Sequence, residues 1–165
     1  MKLGTVIATV FGVGYLRPAS GTWGSLAALP LLYLLYLTAG PYGVLITTLA
    51  LLAIGTWATS DHCARTGTHD PSEVVVDEVV GQWIALWPVV IGAAHVGAEI
   101  TALWPGWIAG FVLFRLFDIA KMGPVRWADE KNTAFGVMLD DVFAGIFAAI
   151  GVILLAAISH LGIGV

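Results

Sequence analysis

Apolar residues fill long runs of this chain, and the polar ones are confined to short segments between the runs. The pattern predicts five membrane spans. The first runs from about Gly24 to Ala39 and closes on "TAGPYG", where the Gly40-Pro41 pair marks a tight turn. The second runs from about Tyr42 to Thr59 and leads into the polar segment "SDHCARTGTHDPSE". A third extends from near Asp77 to about Val96, and the connection after it carries "WPGW", whose Trp104 and Trp107 suit a membrane interface. The fourth continues from there to about Ile119. A second polar loop, "KMGPVRWADEKNTAFG", precedes the fifth span, Asp140 to about Ile158. Several of these fall short of the ~20 residues of a perpendicular crossing, so tilt or local thinning is expected. Upstream, Lys2 followed by Leu3 to Leu16 has the outline of a signal peptide. Its apolar run is short, however, and an interfacial or re-entrant helix is the expectation. No repeat, low-complexity tract or coiled-coil heptad is present.

Composition agrees with a bilayer setting. Of 165 residues, 59% are hydrophobic and 11% charged, with a mean hydropathy of +0.92. A soluble domain carries about 25% charged residues, so this chain lacks the polar groups to cover a surface facing water. The expected fold class is all-α: a polytopic helical bundle forming one membrane-embedded domain over residues 1–165. No basic patch points to nucleic acid. The single cysteine, Cys63, excludes an intrachain disulfide. With five spans, all seven Lys and Arg fall on one side: Lys2, Arg17, Arg65, Arg115, Lys121, Arg126 and Lys131. The positive-inside rule makes that side cytoplasmic and the C-terminus external.

Charge patterning then narrows the chemistry. Ten of the eleven acids share the basic side, Glu99 being the exception. They are Asp61, Asp70, Glu73, Asp77, Glu78, Asp118, Asp129, Glu130, Asp140 and Asp141. A carboxylate at or just inside a membrane helix end is costly unless paired, hydrated or bound to a cation. Hard cations such as Mg²⁺ take oxygen ligands and keep several waters, so acids from three helix ends facing one cavity are what a Mg²⁺ site needs. Each acid also has a plainer reading. Asp140 and Asp141 stand where the fifth span begins and suit N-capping. Capping at Asp77-Glu78 needs one acid rather than two. Asp118, spaced i,i+3 from Arg115 and Lys121, suits an ion-pair ladder along one side of its helix, or a carboxylate for metal flanked by cations for phosphate. Asp61, Asp70, Asp129 and Glu130 read as solvated loop acids.

A second constellation is "RPASGTWGSL", Arg17 to Leu26. Ser20 or Thr22 could cap the first span, and free N–H groups beside glycines at a helix start bind phosphate well. Several chemistries are missing. Cys63 lacks an arginine six positions on, His69 standing there instead, so no cysteine-phosphatase loop is present. His62, His69, His95 and His160 show no paired metal spacing, and neither a G-x-S-x-G elbow nor a Walker loop occurs. Any hydrolysis here should therefore be metal-assisted and carried by carboxylates.

Four motifs in order, "PASGTWGSL", "VVVDEVVGQ", "FRLFDIAK" and "GVMLDDVFAG", resemble the phosphatidylglycerophosphatase A family of bacterial membrane enzymes over roughly residues 10 to 160. The resemblance implies an all-helical, Mg²⁺-dependent enzyme of the cytoplasmic (inner) membrane, working on its cytoplasmic face. It would convert phosphatidylglycerol phosphate to phosphatidylglycerol and inorganic phosphate. The family's acids correspond here to Asp77, Glu78, Asp118 and the pair Asp140-Asp141. On this reading Asp77, Glu78, Asp118 and Asp141 are catalytic, and together with Asp140 they hold the metal. Arg17, Gly21, Thr22, Gly24, Ser25 and Lys121 would hold phosphate. Direct attack by water and a phosphoryl-aspartate intermediate both stay open. The chain departs from the family at Lys121-Met122, where Lys-Pro is frequent, and at "TAFG", where a glycine pair is usual. Two rivals come from other classes: an ion-coupled small transporter using the carboxylates, and a non-catalytic membrane scaffold. The one-sided acids and the lack of an internal repeat weigh against transport.

Overall fold

The computed structural model describes residues 2–68 and 71–163, so His69 and Asp70 lie outside the described residues. The described residues form an all-α bundle of α1 (Leu3–Ala8), α2 (Ser20–Thr66), α3 (Val76–Val96), α4 (Trp104–Ala120), α5 (Pro124–Asp129) and α6 (Ala134–Ile163). A 3-10 turn, Ile100–Leu103, runs into α4. Among the described residues, four helical stretches are long and apolar enough to cross a membrane: Ser20–Thr66, Val76–Val96, Ile100–Ala120 and Ala134–Gly162. The protein is a polytopic membrane bundle.

The first of these is too long for one crossing. Its 47 residues would reach about 70 Å as a straight helix, more than twice the ~30 Å hydrocarbon core. At Gly40 the backbone leaves the helical region (φ 67°, ψ −173°), a conformation that suits glycine, and Pro41 follows. Contacts with α3 reverse direction there. Before Gly40, Gly24 packs on Val75 and the Ala28 carbonyl accepts the Trp83 indole N–H at 2.9 Å. Beyond it, Thr48 meets Trp87, Gly55 meets Val76 and His62 meets Glu73. α2 is thus two antiparallel arms that meet at the turn expected from "TAGPYG".

α3 is the most buried of the four long stretches and supplies the centre of the core through Val76, Val79, Val80, Ile84, Leu86 and Val90. Its closest neighbour is α6, and the approach depends on two glycines. A Cβ on Gly81 would stand 2.6 Å from the Asp141 carbonyl oxygen, and one on Gly145 would strike the Gly81 carbonyl oxygen. Small residues let membrane helices approach this closely, where van der Waals packing replaces the hydrophobic drive. Outward positions such as Leu34, Leu37, Ile46, Ile108, Val112, Ile153 and Ile158 are exposed, as expected of helices that face hydrocarbon.

Three expectations are corrected. α6 starts at Ala134 rather than Asp140, because the Thr133 hydroxyl accepts the Gly136 N–H at 3.0 Å and provides the cap. Asp140 and Asp141 therefore stand well inside the helix, where capping cannot account for them. The second polar loop contains α5, whose Pro124 follows Gly123 at the first helical position. Neither Ser20 nor Thr22 caps α2: its cap position is Ala19, without a side-chain bond, and Ser20 donates to the Ser72 carbonyl at 2.5 Å. The six residues of α1 span about 9 Å, too short to cross. They rest on the end of α2, where Gly4 packs on Asp61 and the Thr5 hydroxyl is 3.2 Å from His62 Nδ1.

Candidate active site

Asp77 and Glu78 occupy the first turn of α3, where the positive end of the helix dipole faces them. The Gly81–Gly145 crossing lies one turn further in, on both helices. It brings Asp141, one turn before Gly145, alongside the α3 pair. Ligand oxygens of Asp77, Glu78 and Asp141 lie within 4.8 Å of one another. Two oxygens of this cluster, Glu78 Oε2 and Asp141 Oδ1, are buried without a hydrogen-bond partner among the described residues. At an effective dielectric of 20, two charges this far apart repel by about 3.5 kcal/mol. A hard divalent cation relieves that repulsion and fits an all-carboxylate donor set, so the cluster is a site that could coordinate a metal.

The acids face a cavity of ≈ 160 Å³ lined by Ser20, Ser72, Asp77, Glu78, Asp118, Lys121, Asp140 and Asp141, among others. Asp118 reaches it from α4, its carboxylate held by Arg115 at 2.6 Å. Lys121 does not continue a ladder with Arg115 and Asp118. It closes α4 in the left-handed region (φ 44°) and turns to Asp129, which it bonds, and to Asp140 Oδ2 at 3.2 Å. Burial works against the Lys121 charge, but the two carboxylates beside it outweigh that and hold its ammonium above the usual lysine range. It stays positive throughout neutral pH.

Of the residues expected to hold phosphate, Lys121 alone lines the cavity. Arg17 stands just outside, donating through both Nη atoms to the Ser72 hydroxyl at 3.1 Å. Gly21 packs on Glu78 Oε1 and near Arg115 Nη1, while Gly24 packs on Val75. Both glycines let α2 approach α3 closely. Ser25 is fully buried and donates to the Gly21 carbonyl at 2.9 Å. Thr22 is half-buried beside them.

Several residues take places that the sequence did not assign. Ser72 joins the cavity across more than fifty positions of chain, a contact no local pattern announces. Asp129, read as a solvated loop acid, bonds Lys121, and Asp61 bonds Arg65. Gln82 is fully buried with both amide atoms unpartnered among the described residues, one turn deeper than Glu78. Its i,i+4 spacing from Glu78 was the available signal.

A family model described as "Phosphatidylglycerophosphatase A" matches residues 6–156. The chain belongs to the phosphatidylglycerophosphatase A family. It is 40% identical over 147 residues to the Haemophilus influenzae phosphatidylglycerophosphatase A, covering 88% of this chain and 83% of that one. The Escherichia coli protein of the same name is 34% identical over 145 residues, covering 87% of this chain and 78% of its own. A Bacteroides thetaiotaomicron protein named "Putative phosphatidylinositol-3-phosphatase" is 39% identical over 153 residues, 90% of each chain. No solved structure matches.

Proposed function

We propose that this family member is a Mg²⁺-dependent lipid phosphomonoesterase that hydrolyses phosphatidylglycerol phosphate to phosphatidylglycerol and inorganic phosphate. The observation that carries the reading is the convergence of Asp77, Glu78 and Asp141, with two buried unpartnered oxygens, on a cavity that Lys121 also lines. Names of the Haemophilus and Escherichia relatives support the substrate.

Asp77, Glu78 and Asp141 would hold the metal, with Asp140 and Asp118 beside them. A bound Mg²⁺ supplies Lewis-acid polarisation of the phosphate and a more acidic water. The chain's own groups do the rest. The ≈ 160 Å³ cavity has room for about five waters' volume, enough for a phosphate group but not for a whole lipid. Only the phosphomonoester enters, and Lys121 balances the charge on its oxygens. Asp118, oriented by Arg115, takes a proton as water oxygen bonds to phosphorus. The phosphorus–oxygen bond to glycerol breaks, and the departing oxygen gains a proton at the open mouth. Water exclusion on the deep side falls to α3 and α6, packed through Gly81 and Gly145.

The two arms of α2 would each cross the bilayer, giving five spans in a single domain. The carboxylate end carries every Lys and Arg, as the positive-inside rule requires of the cytoplasmic face of a bacterial inner membrane. Lipid headgroups lie at that depth, whereas a transporter would need its acids nearer mid-membrane. The Bacteroides relative's name favours a second reading within the same chemistry: a different phosphomonoester lipid, such as phosphatidylinositol 3-phosphate.

The test is phosphate release from phosphatidylglycerol phosphate by the purified protein in detergent, with and without Mg²⁺. Phosphatidylinositol 3-phosphate is run in parallel. Mg²⁺-dependent release from the first lipid is the expected result, and release from the second alone would install the alternative. Release from neither would refute both.

A further inference from the structure

A groove of ≈ 400 Å³ runs between the end of α4, the turn after it and the outer face of α6. Phe117, Met122, Pro124, Phe147, Ile150 and Leu154 line it, and nearly all of its surface is apolar. The Phe117 and Phe147 rings, with centroids 5.7 Å apart, stand side by side within it. The polar cavity lies at its upper end: Lys121 lines the cavity and the next residues, Met122 to Pro124, line the groove. On α6, Asp140, Phe147 and Leu154 recur every seven residues and so share one side of the helix.

We infer that this groove holds an acyl chain of the lipid whose phosphate occupies the carboxylate cavity. The inference rests on the lipid phosphatase reading and adds a second binding site to it. Two features favour this occupant over a partner helix or a second copy of the chain. On α6 the groove lies along the same side as an anion-sized polar cavity lined by Lys121 and Asp140, and only a molecule with an anionic head and an apolar tail fills both. Its length also fits within one leaflet: from Phe147 to Leu154 the helix descends about 10 Å, against ~15 Å for half the hydrocarbon core. Ile150 and Leu154 are half exposed, so the groove opens sideways to the bilayer and a lipid can enter without leaving it.

The test compares phosphate release from dihexanoyl and dioleoyl phosphatidylglycerol phosphate. The proteins are wild type, Ile150→Trp, Leu154→Trp and, as a control on a distant outward position, Leu37→Trp. Filling the groove should lower kcat/KM on the dioleoyl lipid by about tenfold, the equivalent of ~1.4 kcal/mol, and on the dihexanoyl lipid by less than about twofold. Leu37→Trp should leave both unchanged. Equal losses on both lipids, or no loss on the long one, would overturn the groove. A second measurement is independent of turnover. A lipid phosphate with a diazirine at the end of one acyl chain is photolysed on wild-type protein, and the labelled peptides are mapped. Label concentrated between Phe147 and Leu154, and competed by unlabelled lipid phosphate, supports the inference even if no lipid is hydrolysed. Label spread over all outward helix faces means annular lipid only and defeats it. Absence of wild-type turnover on either lipid counts against the phosphatase reading, and the labelling then decides the groove by itself.

Discussion

Two pairs of adjacent acids, Asp77-Glu78 on α3 and Asp140-Asp141 on α6, are built alike and placed differently. In each, the first acid's Oδ1 accepts the N–H of the second at 3.0 Å. In each, the second acid carries a buried oxygen without a partner, Glu78 Oε2 or Asp141 Oδ1. The α3 pair stands at a helix start, where the dipole and free N–H groups make acids inexpensive. The α6 pair lies about two turns inside a helix already capped by Thr133. Helix chemistry can account for one acid of the first pair and for neither of the second, where the Lys121 ammonium 3.2 Å away serves Asp140. Asp141 is left as a buried acid with no local purpose, which is the stronger evidence for a bound cation.

The largest expected effect breaks the comparison at that residue. Asp141→Asn should lower phosphate release by about a thousandfold while the melting temperature in detergent holds or rises, because a buried charge without a partner is removed. A matching loss of activity and of stability would make Asp141 structural instead. Next comes the crossing that joins the two pairs. Gly81→Ala puts a methyl against the Asp141 carbonyl and the Phe114 ring, and should destabilise the protein by ~1–3 kcal/mol as read by thermal unfolding. Activity should fall as well, because α3 and α6 must part. Lys121→Met should cost about a hundredfold in kcat/KM, with Lys121→Arg restoring part of it. The smallest effect sharpens the contrast: Asp129→Asn removes a half-exposed partner of Lys121 and should change the rate by less than about fivefold.

Much of this arrangement was legible in the sequence, and the failures have physical causes. Apolar runs located α3, α4 and most of α6, and Gly40-Pro41 marked the reversal, since hydropathy and turn chemistry act locally. Asp77, Glu78, Asp118, Asp140 and Asp141 stood out because acids are costly in so apolar a chain. The start of α6 was misjudged because two acids before an apolar run imitate a cap, while the true cap, Thr133, precedes an uncharged stretch. α5 was hidden in a polar segment, although Pro124 after Gly123 was a usable helix-start signal. The glycines of "GTWGS" suggested a phosphate cradle by their spacing, yet Gly21 and Gly24 pack against α3. Sequence shows that a residue is small, not what approaches it. Ser72 joined the cavity, and Asp129 joined Lys121, through tertiary contacts that no periodicity encodes.

The central claim is that Asp77, Glu78 and Asp141 together bind a divalent cation. The most direct measurement titrates Mn²⁺ into the purified full chain and follows binding by electron paramagnetic resonance, with Mg²⁺ as competitor. Saturable binding by wild type and by Asp129→Asn, weakened at least about tenfold in Asp141→Asn, is the predicted result. Binding by Asp141→Asn indistinguishable from wild type would contradict the account.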